Sequence, residues 1–160
     1  MWANRMLLRE KWPQFDDRRG TSKLSAGLLM YRQLDEQLLV FLVHPSGPYL
    51  RNQDLGTWSV PKGEIEPGEV VLNAACRRFT EEVGVPAFGP FIPLGPAYER
   101  SGNVVHSWAF EAGSEPAGGE CNSREVDRAE WFTPEAAKLR IDPAQAWWID
   151  EVVARVRPGR

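Results

Sequence analysis

The sequence predicts a single domain of the α/β class, and two observations support this. Short apolar runs bounded by glycine, proline and acidic residues recur along the chain, as strands of a sheet do. Two longer stretches instead carry apolar residues at helical spacing. A length of 160 residues suits one domain with one sizeable core. We place residues 1–21 in an N-terminal extension of mixed charge without clear periodicity, and residues 22–157 in the domain.

The domain is predicted to begin with a β-hairpin. An apolar run from Leu24 ends at the turn residues Asp35 and Glu36, and a second run, QLLVFLVH, follows directly. The next segment, 45–56, is polar and long for a connector, as loops that carry binding residues often are. After it, the tetrapeptide TWSV is predicted to form a short strand.

A helix is predicted between Pro67-Gly68-Glu69 and Gly84. Proline suits a first helical turn, and glycine suits the left-handed position that follows a helix. One apolar stripe at helical spacing consists of Leu72, Cys76, Phe79 and Val83. Residues 78, 81 and 82 lie three and four positions apart, so a neighbouring face carries charge.

The remaining elements follow from prolines and alternating runs. The segment AFGPFIPLGPAYE is interrupted by prolines and is predicted to be irregular or an edge strand. VVHSWAFEA and DRAEWFT are predicted strands. Pro134 begins a short helix, and a last helix is expected from about Pro143 to Val156.

Composition excludes several classes of function. A net charge of −3 gives no general attraction to a nucleic-acid polymer. No apolar run approaches the length of a membrane span, and the charged N-terminus does not resemble a signal peptide. We therefore expect a cytoplasmic protein. Its two cysteines, Cys76 and Cys121, fit no metal-binding spacing, and Cys76 is expected to be buried and inert.

The most informative stretch reads GEIEPGEVVLNAACRRFTEEVGV and spans Gly63 to Val85. Its adjacent carboxylates, Glu81 and Glu82, would repel each other unless a cation lay between them. Hard cations such as Mg²⁺ prefer such oxygen ligands. The stretch resembles the signature of the Nudix hydrolases, G-x5-E-x7-R-E-U-x-E-E-x-G-U, in which U is a bulky aliphatic residue. The positions in register are Gly63, Glu69, Arg77, Glu81, Glu82, Gly84 and Val85.

The resemblance implies an α/β/α sandwich with a mixed sheet, extending over about Leu24 to Val156. It also implies hydrolysis of a diphosphate bond in a nucleoside polyphosphate or in another nucleoside diphosphate linked to a further moiety. Mg²⁺ or Mn²⁺ would be held by Glu81, Glu82 and the carbonyl of Gly63.

The resemblance gives the other charged residues of the signature different roles. Glu69 and Arg77 would form a supporting ion pair, with Arg77 and Glu81 in the catalytic machinery. Lys62 in the entry Pro61-Lys62-Gly63 is similar to that of members acting on highly phosphorylated compounds, and an ammonium beside the metal would attract an extra phosphate.

Two positions depart from the signature. The aromatic Phe79 replaces an aliphatic residue, which matters less, and Arg78 stands where the family has the glutamate that serves most often as base or water-mediated ligand. Arginine stays protonated and accepts no hydrogen bond. Either Glu125 or Glu120 then supplies the base while Arg78 holds a phosphate, or the enzyme is merely slow. The alternative is a nucleotide-binding domain that has lost catalysis and serves as a sensor or regulator.

Trp58 allows two interpretations, as a wall against which a nucleobase stacks or as a core residue. The partner is expected to be a small nucleotide, and the protein is expected to be a monomer or a homodimer.

Overall fold

The structure is a computed structural model and describes residues 23–47, 52–113 and 126–157. A six-stranded mixed sheet has the order β4-β5-β1-β2-β6, with β3 paired to β1. The strands are β1 Leu24–Leu34, β2 Gln37–Pro45, β3 Lys62–Glu64, β4 Ile92–Tyr98, β5 Val104–Glu111 and β6 Val126–Phe132. The helices are α1 Val71–Val83, α2 Pro134–Arg140 and α3 Ala146–Val156, with a 3₁₀ turn at Pro143–Gln145.

The predicted hairpin is confirmed. Strands β1 and β2 pair antiparallel, with Tyr31 opposite Val40 and Leu34 opposite Gln37. The turn places both Asp35 and Glu36 at positive φ, 49° and 68°. On its other edge β1 pairs in parallel with β5 over its first eight residues, which makes the sheet mixed.

Helices cover both faces of the sheet, so the α/β/α sandwich is confirmed. On one face, alternate residues of β1 such as Leu28 and Met30 pack with Phe79 and Val83 of α1. On the other face, Leu29 and its neighbours pack with Trp148 of α3. The strands bury both faces, and this explains why β1 and β2 are almost continuously apolar.

The prediction of a strand at TWSV is wrong about where the strand lies. Trp58 and Ser59 form only isolated bridges, with Ile141 and Val43. The strand that forms is β3, which begins at Lys62 and pairs antiparallel with the start of β1, where Gly63 lies opposite Ala26. Backbone pairing with β1, which sequence alone does not reveal, decides where this strand lies.

The start of α1 also differs from the prediction. The helix begins at Val71, with Val70 as its N-cap and no side-chain cap. Pro67-Gly68 lie in the preceding turn, in which Gly68 has φ 79°. The predicted end is confirmed, because Gly84 is the left-handed C-cap with φ 85°.

The later elements follow the sequence closely. β4 is the predicted edge strand. α2 starts with proline after the N-cap Thr133, whose hydroxyl accepts a hydrogen bond from the Ala136 amide. The last α-helix starts at Ala146, three residues after Pro143, because the first turn is a 3₁₀ turn capped by Asp142. Among the described helices, none is both long and apolar enough to cross a membrane.

Candidate functional site

The signature places its residues on β3, on a loop and on α1. β3 is held against β1 by the pairing of Gly63 with Ala26, and this fixes the backbone beneath the helix. The loop carries Glu69, and α1 carries two arginines and two glutamates at 77, 78, 81 and 82. The strand, the loop and the helix therefore bring these charged groups together.

Arg77 is the fixed centre of the cluster. Its Nε donates to Oε2 of Glu69 at 2.7 Å and its Nη2 donates to Oε1 at 2.8 Å, which is a bidentate pair. Its Nη1 also donates to Oε1 of Glu81 at 3.1 Å. One guanidinium thus joins the loop before the helix to the third turn of the helix.

Electrostatics agrees with this geometry. The hydrogen bonds from Arg77 lower the pKa of Glu69 from 4.5 to about 2, and the Glu66 amide, which donates to the same carboxylate, adds to the effect. The pairing with Glu69 in turn raises the pKa of the Arg77 guanidinium. The expected supporting pair of Glu69 and Arg77 is therefore formed, and Arg77 contacts Glu81 directly.

Arg78 lies across the backbone of Gly63. A Cβ atom at position 63 would overlap the Cδ, Nε and Cζ atoms of Arg78, so any other residue there would require the Arg78 side chain to move. Its Nε donates to the Glu64 carbonyl at 3.1 Å, and its Nη1 lies 3.5 Å from Oε2 of Glu81. The resemblance gives Gly63 a role through its carbonyl, and the position of Arg78 adds a steric reason for glycine.

The two adjacent glutamates lie in different environments. Successive residues of a helix point about 100° apart. Glu81 is half exposed and faces the two arginines, whereas Glu82 is 5% exposed and belongs to the buried side of α1. The structure thus brings Glu81 together with Arg77 and Arg78, and it gives Glu82 a buried position on the same helix.

The donor set has the chemistry of a divalent-cation site. Glu81, Glu82 and the backbone of Gly63 offer hard oxygen ligands. The carboxylate of Glu81 already attracts cations, since the guanidinium groups of Arg77 and Arg78 both approach its oxygens. Within the described ranges, no three His, Cys, Asp or Glu side chains are grouped to hold a metal ion. The residues fit a hard cation in kind, with the Arg78 guanidinium lying among them.

Lys62 has a partner that the sequence did not reveal. Its Nζ lies 3.4 Å from Oε1 of Glu99, which follows β4, and both side chains are largely buried. Because side chains alternate along a strand, Lys62 points away from the sheet face on which Arg78 covers Gly63. In the sequence, Glu99 is marked only as the last residue of the segment predicted to be irregular or an edge strand.

Trp58 is a core residue. It is 1% exposed, and its ring packs edge-on against His44 and Phe132, with Arg128 over its face. It belongs to the core on the sheet face opposite α1. A nucleobase therefore has no exposed face of this ring to stack on, which corrects the assignment of Trp58 to substrate binding.

The candidate bases Glu125 and Glu120 lie outside the described residues, as do the N-terminal extension and Cys121.

The two histidines lie in strands and are buried. His44 contacts Oδ1 of Asp127 and the Gln53 carbonyl, at 2.9 and 2.7 Å. Burial lowers the pKa of His106 to about 4. Burial also raises the pKa of the half-buried Cys76 thiol.

Comparison with known proteins agrees with the signature. The family model described as the NUDIX domain matches residues 21–155, which is most of the chain. The chain belongs to the NUDIX family. Within this Nudix protein, Arg78 and the aromatic Phe79 are the two positions at which the sequence differs from the signature given above.

Solved structures agree on the fold. The NUDIX domain of Shewanella oneidensis NrtR, complexed with ADP ribose, has a TM-score of 0.70 at 16% identity and covers 94% of this chain and 97% of that one. An Ap4A hydrolase of C. elegans, in a binary complex, has a TM-score of 0.66 at 24% identity, covering 84% and 97%. At these identities, the likeness concerns the fold.

A curated relative matches over a shorter stretch. An RNA pyrophosphohydrolase of Erythrobacter litoralis is 47% identical over 36 residues. The match spans 22% of this chain and 22% of that protein. This similarity is local and leaves most of both chains outside the match.

Proposed function

We propose that this Nudix protein hydrolyses a diphosphate bond in a nucleoside polyphosphate, or in another nucleoside diphosphate linked to a further moiety, with Mg²⁺ or Mn²⁺. The observation that carries the proposal is the network of Glu69, Arg77 and Glu81 on the signature helix. It orients a carboxylate where the family signature has a metal ligand. The names of two similar proteins, an Ap4A hydrolase and an RNA pyrophosphohydrolase, support the same reaction class.

The proposed metal ligands are Glu81, Glu82 and the Gly63 carbonyl. A divalent cation, when bound there, would neutralise charge that develops on the phosphate oxygens and orient them. Arg77 is the positioning residue in this scheme: its bidentate bond to Glu69 fixes the guanidinium, and its Nη1 then fixes Oε1 of Glu81.

Arg78 is proposed to contact a substrate phosphate, and Lys62 is proposed to contact a further phosphate from the opposite face of β3. Arginine matches phosphate oxygens geometrically, and lysine adds a point charge. Lys62 would have to exchange its contact with Glu99 for a phosphate. Proton abstraction from water is proposed for Glu125, with Glu120 as the competitor, because Arg78 cannot accept a proton.

Substrates of this kind are small nucleotides, and with a net charge of −3 we propose no nucleic-acid polymer or membrane as partner. We propose a cytoplasmic protein that acts as a monomer or a homodimer.

The test is release of phosphate or pyrophosphate from dinucleoside polyphosphates, nucleotide sugars and nucleoside triphosphates, with Mg²⁺ and then with Mn²⁺. Turnover that Glu82→Gln abolishes, in a variant of unchanged thermal stability, would support the hydrolase. Turnover that survives both Glu82→Gln and Glu81→Gln would contradict the assigned ligands.

A second candidate function is nucleotide binding without hydrolysis. The contact of Arg78 with Glu81 favours binding without hydrolysis, because the guanidinium pairs with a carboxylate that is a proposed metal ligand. Arg78 also stands in place of the expected base and cannot accept a proton. Absence of turnover across the panel, combined with a nucleotide-induced rise in melting temperature, would identify this function. A NUDIX domain complexed with ADP ribose exists in NrtR, so this compound belongs in the binding panel.

A further inference from the structure

Arg78 and a divalent cation would both need the carboxylate of Glu81. The guanidinium lies over Gly63, donates to the Glu64 carbonyl at 3.1 Å and pairs with Oε2 of Glu81 at 3.5 Å. Of these groups, the half-exposed carboxylate of Glu81 is a proposed metal ligand. Gly63, whose carbonyl is another proposed ligand, lies directly beneath the guanidinium. A guanidinium and a divalent ion repel each other, and Glu81 has only two oxygens to offer.

The two arginines of the cluster differ in how firmly they are held. Arg77 makes two short bonds to Glu69, at 2.7 and 2.8 Å. Arg78 makes one bond of ordinary length to a backbone carbonyl and a longer contact to Glu81, and its side chain is 24% exposed. Partly exposed ion pairs of this kind are weak. Arg78 can therefore leave Glu81 while Arg77 continues to hold the other oxygen of the same carboxylate.

We propose that Arg78 is a built-in cation that occupies the metal position until a divalent ion and a diphosphate arrive together. A metal ion that binds alone must displace the guanidinium from Glu81. The displaced guanidinium then lies in water, close to the metal ion and without a new partner. A diphosphate offers the displaced guanidinium new oxygen partners, to which arginine binds in bidentate fashion. Metal and diphosphate consequently bind with positive cooperativity, and by linkage each tightens the other by the same factor. The proposal rests on the metal role given to Glu81 under the proposed function.

The test measures Mn²⁺ binding to the full chain by electron paramagnetic resonance of the free ion, so it needs no turnover. Titrations are made with and without α,β-methylene ADP, whose bridge resists hydrolysis, and are corrected for Mn²⁺ held by the analogue itself. The wild-type protein should bind Mn²⁺ weakly alone and roughly tenfold or more tightly with the analogue.

Removing the guanidinium should uncouple the two ligands. Arg78→Ala should bind Mn²⁺ alone roughly tenfold more tightly than the wild type, with a smaller gain from the analogue. Arg78→Gln, which retains most of the side-chain volume, provides a second variant if the alanine variant unfolds. Arg155→Ala is the matched control, since Arg155 lies in an exposed pair with Glu151 on α3, and it should behave as the wild type.

The outcomes separate this proposal from the proposed hydrolysis. Unchanged Mn²⁺ affinity in folded Arg78→Ala and Arg78→Gln would overturn the competition, even if every protein hydrolysed nucleotides. Absence of Mn²⁺ binding in all folded proteins would overturn it as well. Tighter binding in the Arg78 variants without hydrolysis by any of them would support the competition and contradict the proposed activity.

Discussion

At the scale of the residue, the chemically important departure from the signature is at position 78, where a permanent cation replaces a hydrogen-bond acceptor. A glutamate there could take a proton or hold a metal-bound water, whereas a guanidinium can do neither. Arg78 instead neutralises Glu81 and covers Gly63. Its effect on the site is thus both chemical, through loss of a base, and electrostatic, through occupation of a carboxylate.

Reverting this exchange should increase activity. We expect Arg78→Glu to raise divalent-dependent hydrolysis at least about tenfold, because a general base contributes ~10²–10⁴-fold and Glu81 is released at the same time. The measurement is kcat/KM on whichever nucleotide the panel identifies. Arg155→Glu makes the same charge reversal at a remote exposed site and should change little. If folded Arg78→Glu gains nothing, Arg78 has a part of its own in the mechanism.

Glu69 gives a prediction for pH. Its folded pKa of about 2 lies below the ordinary 4.5, so the unfolded chain binds more protons between those values. The ion pair therefore contributes its full stability above about pH 4.5 and loses it as the pH falls towards 2. Because the pair is partly exposed, we expect Glu69→Gln to cost about 1 kcal/mol at pH 7.

Urea unfolding at pH 7 and at pH 3 checks this prediction. The difference in free energy of unfolding between wild type and Glu69→Gln should be clearly smaller at pH 3. Glu151→Gln, in an exposed pair on α3, is the control and should cost less at pH 7. A difference for Glu69→Gln that does not depend on pH would contradict the assigned ion pair.

At the scale of the element, sequence predicts best where local chemistry decides. Gly84 ends α1 as predicted, since a left-handed residue is a local need. The helix starts later than the sequence predicts, because Glu69 closes the turn at Pro67-Gly68. Its amide donates to the Glu66 carbonyl, and its side chain accepts from the Glu66 amide. From sequence alone, a carboxylate that closes a turn before a helix cannot be distinguished from one that lies in the first turn of the helix.

The C-cap of α1 should be sensitive to a single methyl group. Gly84 has φ 85°, and its amide donates to the Thr80 carbonyl. We expect Gly84→Ala to lower the free energy of unfolding by about 1 kcal/mol, because L-residues are strained at that φ. Gly113→Ala is the control, since a Cβ there meets no atom within 4 Å, and it should stay within about 0.5 kcal/mol. Equal urea midpoints for the two variants would show that the cap does not constrain α1.

At the scale of the whole molecule, the family resemblance predicted the sandwich, but side-chain partners across the chain could not be predicted. Lys62 pairs with Glu99, 37 residues away, and Arg78 bonds with the backbone of β3. Such pairs depend on which strands become neighbours. Trp58 shows the same limit. An aromatic residue near the signature could stack on a nucleobase or pack in the core, and the packing of α2 and α3 on that face of the sheet places Trp58 in the core.

A buried amide joins the segment before the signature to the helical layer on the far face. Gln145 is fully buried; its Oε1 accepts from the Val60 amide at 3.1 Å, and its Nε2 donates to the Ser59 hydroxyl at 3.1 Å. Gln145→Leu preserves the volume but leaves the buried Val60 amide without an acceptor. We expect it to lower the free energy of unfolding by about 2 kcal/mol, the cost of an unsatisfied buried donor.

The control for Gln145→Leu removes an exposed contact between α2 and α3. Lys138 pairs with Asp150 at 2.9 Å, and both side chains are substantially exposed. Lys138→Met should therefore change the free energy of unfolding by less than about 0.5 kcal/mol. Because the segment held by Gln145 leads directly into β3 and Gly63, Gln145→Leu should also weaken Mn²⁺ binding in the presence of α,β-methylene ADP. Full stability and unchanged Mn²⁺ affinity in Gln145→Leu would mean that the two faces of the sheet fold and bind independently of this bond.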